Sequence, residues 1–241
     1  MAPSMNGTKD TMISSLEASR IINESARDFG VAMVALGDAT GRVLREDWFT
    51  DRDMPPYDRV AMDGIAIKYA YFESGQRLFI IDGVAPAGQV QITLTQEDRC
   101  IEVMTGGVLP NGCDTVIRYE DVSISTGIAM IKLDHINQGQ NVHHQGKDHN
   151  AGELIVESLS KISSAEIGVG ATLGKSKIKV SKLPKVMVIS TGDELVPIDQ
   201  IPLPHQIRRS NVHQIVGVLQ NLHIKVDHQH LIDDKLSLIH I

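Results

Sequence analysis

Between Gly64 and Leu133 the apolar residues come in short runs separated by turn residues: Ile65-Ala66-Ile67, Leu78-Phe79-Ile80-Ile81, Cys100-Ile101-Glu102-Val103-Met104, Thr115-Val116-Ile117 and Ile128-Ala129-Met130-Ile131. Runs of this length and spacing predict an all-β sandwich or barrel module. Helical patterning flanks it. Ile13, Leu16, Ala18, Ile21, Ile22 and Ala26 fall near i, i+3, i+4 spacing, with Ser14 or Ser15 as N-cap and Gly30 as the stop. A second short helix is predicted from Leu36 to Leu44, weakened by Thr40-Gly41-Arg42, since an interior glycine costs about 1 kcal/mol. A third helix is predicted from Ser164 to Ala171, ahead of Ile178-Lys179-Val180. One economical arrangement is a β module inserted into a helical domain.

After Pro184 the pattern changes again. Lys185 to Ser190 reads as a buried strand, Ser210 as the cap of a helix carrying Val212, Ile215, Val216, Val218 and Leu219, and Ile224-Lys225-Val226 as the start of another strand. Strand, helix, strand predicts a right-handed parallel unit. One such unit is too small to complete a doubly wound sheet, so the chain reads as truncated.

Composition narrows the function. With 42% hydrophobic residues in 241, the chain can bury one large core or two smaller ones. Its 23 Lys+Arg against 30 Asp+Glu give a net charge of -7, and the longest basic block is Arg208-Arg209. That balance argues against nucleic-acid binding and for a small-molecule partner. Cys100 and Cys113 match neither a zinc site nor a redox pair, which predicts free thiols in a reducing compartment. No apolar run reaches the roughly 18 residues of a membrane span, and the first dozen residues lack a signal peptide's apolar core. A cytoplasmic protein without a membrane partner is expected.

Three regions place a carboxylate beside glycine: Pro55-Pro56-Tyr57-Asp58-Arg59-Val60-Ala61-Met62-Asp63-Gly64, Gly146-Lys147-Asp148, and Ser190-Thr191-Gly192-Asp193-Glu194. Ligands of open α/β sheets bind outside the carboxyl ends of the parallel strands. Asp193 and Glu194 lie there, and Asp233 with Asp234 follows the neighbouring strand. Two acidic sites at one sheet edge suit magnesium. Either Asp193 or Asp233 alone is accounted for as a helix cap, and Asp63-Gly64 alone as a turn. Thr105-Gly106-Gly107 has residues small enough for backbone N–H groups to approach an anion, but it matches neither a Walker loop nor the dinucleotide fingerprint. The ten histidines, His143, His144, His149, His223, His228 and His230 among them, lack zinc-ligand spacing and read as solvated positions.

Together the motifs resemble one family. Pro55-Pro56-Tyr57-Asp58 with Ala61-Met62-Asp63-Gly64, Met104-Thr105-Gly106-Gly107 with Leu109-Pro110-x-Gly112-x-Asp114, Gly139-Gln140-Asn141-Val142 with Gly146-x-Asp148, Ser190-Thr191-Gly192-Asp193-Glu194-Leu195, and Gln206-Ile207-Arg208-x-Ser210-Asn211 follow the order of the MoeA/gephyrin E-domain molybdopterin molybdenumtransferases. The resemblance implies an α/β multi-domain fold. A helical dimerisation domain (1–50 and 145–180) is interrupted by a β-rich domain (51–144), and an incomplete parallel-sheet molybdopterin-binding domain follows (181–241). It implies insertion of molybdate into adenylylated molybdopterin with release of AMP, using Mg2+, in a homodimer that also contacts a molybdopterin adenylyltransferase. Carried over by motif, the catalytic positions are Asp63, Thr105, Asp148, Glu194 and Asp233, with Glu194 and Asp233 on the metal. Thr191, Gly192, Asp193, Ser210 and Asn211 are implied to bind the molybdopterin substrate.

Molybdate is an oxyanion, so Thr105 and neighbouring N–H groups are the expected holders, while the acids hold magnesium against the nucleotide phosphates. Asp63 and Asp148 would then position the metal's water or the oxyanion. Two departures from the family pattern stand out: Asn141-Val142-His143 in place of Asn-Val-Arg, and Gly146-Lys147-Asp148 in place of Gly-Glu-Asp. The first exchanges a fixed cation for a titratable one and predicts pH-dependent anion binding near this loop. The family's later Ser-Gly-Gly loop, lysine-bearing segment and C-terminal β domain are absent from the sequence, so a catalytically inactive binding or scaffolding fragment is the alternative reading.

Overall fold

The computed structural model describes residues 13–231, with side chains through 227. In chain order the first elements are α1 (Ser15–Glu24), β1 (Val31–Ala35), β2 (Trp48–Phe49), β3 (Arg59–Val60), β4 (Gly64–Ile67), α2 (Tyr69–Glu73) and β5 (Leu78–Ala85). Next come β6 (Cys100–Val103), β7 (Thr115–Arg118), β8 (Val122–Ser125), β9 (Ile128–Ile131), β10 (Val142–His143), β11 (Leu154–Val156) and α3 (Ser164–Thr172). The last are β12 (Lys177–Ser181), β13 (Val186–Thr191), β14 (Leu195–Val196), β15 (Ile207–Arg208), α4 (Asn211–Asn221) and β16 (Val226–Leu231). They fall into two compact units: Asp47–Glu157, and a discontinuous one made of the chain up to Glu46 and from Ser158 on.

The continuous unit is built on a six-stranded mixed sheet in the order β7-β4-β6-β5-β9-β8, in which only the β5–β6 pair is parallel. All five apolar runs of this region centre on its strands. Successive side chains of a strand point to opposite faces, and here both faces are covered. Ile65 and Ile67 enter one core with Phe79, Cys100 and Ile117. Ala66 enters the other with Val60, Ile101, Val103 and Val116. Burial on both sides is why these strands read as unbroken apolar runs. β8, an edge strand with an exposed Ser-Ile-Ser, carries too weak a pattern to be found that way.

In the discontinuous unit α1 runs from Ser15 to Glu24, with the Ser14 hydroxyl accepting from the Glu17 N–H. The helix expected from Leu36 to Leu44 does not form. Leu36–Asp38 make one 3-10 turn, Gly41 takes a φ of +81°, and the backbone pairs with distant chain: Gly41 N–H to Ile162 carbonyl at 2.7 Å, Leu44 N–H to Ser160 carbonyl at 2.9 Å. β1 was not anticipated either. Its run Val31 to Leu36 is apolar throughout and so has no readable period; in the structure it pairs antiparallel with β12. Among the described residues of the expected helical domain, α1 and α3 are the α-helices, beside a 3-10 turn and strands of β1, β2, β11 and β12.

α3 opens with a capping box, the Ser163 hydroxyl accepting from the Ala165 N–H and the Glu166 carboxylate accepting from the Ser163 N–H at 2.7 Å. Ser163→Ala is expected to cost about 1 kcal/mol, measurable as a lower denaturation midpoint with unchanged slope.

β13 and β16 pair in parallel with full register from Val186↔Val226 to Thr191↔Leu231, joined through α4, as strand-helix-strand patterning predicts. Ser210 occupies the N-cap position of α4 but makes no capping side-chain bond.

Candidate functional site

Gly64 fixes where Asp63 stands. It opens β4 between Val103 and Arg118 of the neighbouring strands, and a Cβ built on it would lie 1.9 Å from the Ile117 carbonyl oxygen. Glycine is needed here for close backbone approach, and Asp63-Gly64 is a strand entry instead of a turn. Asp63 Oδ1 accepts from the Thr105 N–H at 2.6 Å and the Thr105 hydroxyl at 2.7 Å. Those two bonds, the backbone one first, hold the Asp63 carboxyl below the ordinary carboxylate range. Its Oδ2 accepts no hydrogen bond among the described residues, and Asp63 lines an open cavity of about 290 Å3 with Thr105, Arg118 and Glu120.

The donors of the Thr105 loop have partners within the protein. The loop's N–H groups are already engaged: Thr105 with Asp63, Gly106 with the Val60 carbonyl at 2.9 Å, Gly107 with the Met104 carbonyl at 3.0 Å. The Thr105 hydroxyl also donates to Asp63. The loop is an anchor for an ionised acid. Arg118, the cation on the cavity, pairs with Asp121 at 2.5 Å, so the acidic character of Asp63 and Glu120 dominates there. Arg118, Tyr119 and Glu120 were not anticipated as site residues. They follow an ordinary β-run and acquire their place only through the sheet.

A second group gathers around the two proline-flanked and histidine-bearing loops. β10 pairs antiparallel with β3, His143 opposite Arg59. His143 Nε2 lies 2.9 Å from Asp148 Oδ1, and the Asp148 N–H donates to the Met54 carbonyl at 2.8 Å. Asp58 Oδ1 accepts from the Gln145 N–H at 2.8 Å, while the Tyr57 hydroxyl donates to the Gly106 carbonyl at 3.3 Å. The 55–58 motif therefore joins the 105–107 and 143–148 motifs by hydrogen bonds. Asp53, whose oxygens accept from Ala151 N–H and Gln145 Nε2, is consumed by that scaffold. Among the described residues no group of three or more His, Cys, Asp and Glu side chains is arranged to hold a metal ion.

In the discontinuous unit Thr191 ends β13, and Gly192 turns at a φ of +133°. The Glu194 carboxylate folds over Gly192, 2.6 Å from where a Cβ would stand, so a side chain here would have to displace that carboxylate and adopt a strained positive φ. Asp193 and Glu194 are both exposed. Ser210 and Asn211 line a small cavity of about 80 Å3 with Ser190, Arg208 and Arg209, at the N-terminus of α4. Thr191, Gly192 and Asp193 do not line it. Arg209 Nε is buried there without a hydrogen-bond partner among the described residues. Two arginines and a helix N-terminus suit an anion. Asp233 lies outside the described residues.

A family profile described as the MoeA N-terminal region (domain I and II) matches residues 13–174. The chain belongs to the MoeA family. It is 40% identical over 95% of its length to a molybdopterin molybdenumtransferase of Synechocystis sp., of which it covers 59%. It is 30% identical over 92% of its length to a protein of that name from Staphylococcus epidermidis, of which it covers 54%. Among solved structures, a molybdopterin biosynthesis moeA protein from Pyrococcus horikoshii OT3 superposes with a TM-score of 0.85 at 26% identity, across 95% of this chain and 62% of that one. The chain thus spans little more than half the length of these curated relatives. No helix among the described residues is long and apolar enough to cross a membrane.

Proposed function

We propose that the protein serves molybdenum cofactor biosynthesis as a molybdopterin molybdenumtransferase, inserting molybdate into adenylylated molybdopterin as AMP is released. The observation that carries this reading is the 40% identity, over nearly the whole chain, to a relative of that name. Each unit adds chemical support of its own, through a cavity suited to one part of the substrates. The Arg208, Arg209 and Ser210 cavity at the start of α4 suits the oxyanions, the phosphates and molybdate among them. Asp63, kept ionised by Thr105, suits hydrogen-bond donors or a cation's water shell.

Magnesium takes one or two protein carboxylates and completes its shell with water and phosphate oxygens. The exposed Glu194 fits that donor set, and Asp233 is assigned as its companion by motif. When bound, the ion would polarise the pyrophosphate linkage to AMP. Asp148 and His143 are assigned to the approach of the anion. Their pairing places an imidazole ring nitrogen 2.9 Å from the carboxylate.

The same reading makes residues 1–50 and 145–180 the dimerisation part and residues from 181 the start of the molybdopterin-binding domain. α1 buries none of its residues, and Leu16 and Ile22 are 80% and 69% exposed, as expected of a helix that meets a second copy. Cytoplasmic location and contact with a molybdopterin adenylyltransferase complete the proposal.

The test is to mix the protein with adenylylated molybdopterin, molybdate and Mg2+ and follow AMP. Glu194→Ala is expected to abolish magnesium-dependent release while the dimer survives gel filtration. Unchanged release would remove Glu194 from the mechanism, and binding without release in the unaltered protein would favour a scaffolding fragment.

A further inference from the structure

We infer that Tyr119 and Glu102 are positioning residues for Asp63, completing with Thr105 a clamp that holds this acid by its side chain and by its backbone at once. The inference rests on the reading of Asp63 as a site acid. Glu102 lies on β6 opposite Ile65, and Thr105 stands just past the end of the same strand. From that one strand two handles reach the Asp63 segment. Thr105 grips the carboxylate through its N–H and hydroxyl. Glu102 Oε2 accepts from the Tyr119 hydroxyl at 2.8 Å, and the Tyr119 N–H in turn donates to the Asp63 carbonyl at 3.0 Å.

The phenol is suited to the task. Burial, reinforced by the Glu102 carboxylate, pushes Tyr119 up to about 12, so it remains a donor across the working pH range. Neither Tyr119 nor Glu102 belongs to either apolar core. Their bond is therefore not explained by packing. Tyr119 also sits between Arg118 and Glu120, so anchoring its ring fixes the turn that brings both to the cavity of Asp63.

The test is the titration of the Asp63 carboxyl, followed by 13C NMR in the aspartate-labelled 241-residue protein and assigned by difference from Asp63→Asn. Tyr119→Phe removes one hydroxyl and is expected to move the Asp63 titration upward, toward the ordinary carboxylate value. Glu102→Gln keeps an acceptor and is expected to leave it in place. A folded Tyr119→Phe protein whose Asp63 titrates as in the wild type overturns the clamp. The double variant Tyr119→Phe/Glu102→Leu removes both partners and leaves no group unpaired; it gives the same reading if the single change compromises folding. The measurement needs no turnover. AMP release that depends on Asp63 with an unmoved titration defeats the clamp alone, whereas a moved titration in a protein that never releases AMP defeats the reaction and leaves the clamp.

Discussion

Gly64→Ala is expected to lower the stability of the 47–157 unit by about 3 kcal/mol or more. The new methyl carbon would be placed 1.9 Å from the Ile117 carbonyl oxygen and 2.8 Å from the Arg118 Cα, both backbone atoms that no rotamer change can move aside. Relief requires β4 to separate from β7, the strand at one edge of a sheet whose two faces carry separate apolar cores. Gly83→Ala in β5 is the control, since nothing lies within 4 Å of its Cβ position and its stability should be nearly unchanged. Denaturant melts of the two variants give the comparison. Equal midpoints would mean that β4 and β7 do not approach as described. Because Gly64 also sets the position of Asp63, the same substitution should take the site with it.

Asp63→Asn is expected to reduce AMP release by about 100-fold or more, the scale on which removing one electrostatic group at a reacting centre acts. The amide can still accept from Thr105 through its oxygen, so the fold should persist while the charge is lost. The pH dependence has a definite sign. Asp63 titrates below its unfolded value, so its contribution to stability is fully present above that value and fades as pH falls through the folded one. Wild type and Asp63→Asn should therefore differ in melting temperature at neutral pH and converge in acid. Turnover should likewise retain its acid limb below the ordinary carboxylate range. A variant with wild-type release would remove Asp63 from the chemistry and leave it as a structural acceptor.

The strands were legible in the sequence where burial imposed a pattern and illegible where it did not. Ile65-Ala66-Ile67 stands out because each residue enters a core, whichever face it points to. The stretch from Val31 to Leu36 shows nothing, since an unbroken apolar run serves a helix and a strand equally well, and only its pairing with Lys177–Ser181 settles the matter. Leu36 to Leu44 misleads for a related reason. Its apolar spacing suits a helix, but Gly41 turns to positive φ and the backbone finds its partners more than a hundred residues away.

The site divides in the same way. Asp63, Thr105, Asp148 and Glu194 could be picked out because each sits beside a glycine or in one of the motifs that carry the family resemblance. The glycine beside Asp63 is explained by the space around it, which a backbone carbonyl oxygen fills, and the one before Glu194 by its positive φ. Motif reading also promised that the Thr105 loop would offer N–H groups to an oxyanion. The structure spends those donors on Asp63, Val60 and Met104, a choice no local sequence encodes.

What the chain determines by itself is thus local and chemical: which segments are buried, where the backbone must bend or approach closely, and which family supplies the motifs. Tertiary structure alone decided that Tyr119, an unremarked residue at the end of a strand, reaches both Glu102 and the Asp63 backbone. It also decided which donors around Asp63 are already engaged. Periodicity and motifs report the demands a residue makes on its own neighbourhood, whereas a hydrogen bond between residues 17 or 42 positions apart depends on the register of strands that only the assembled sheet sets.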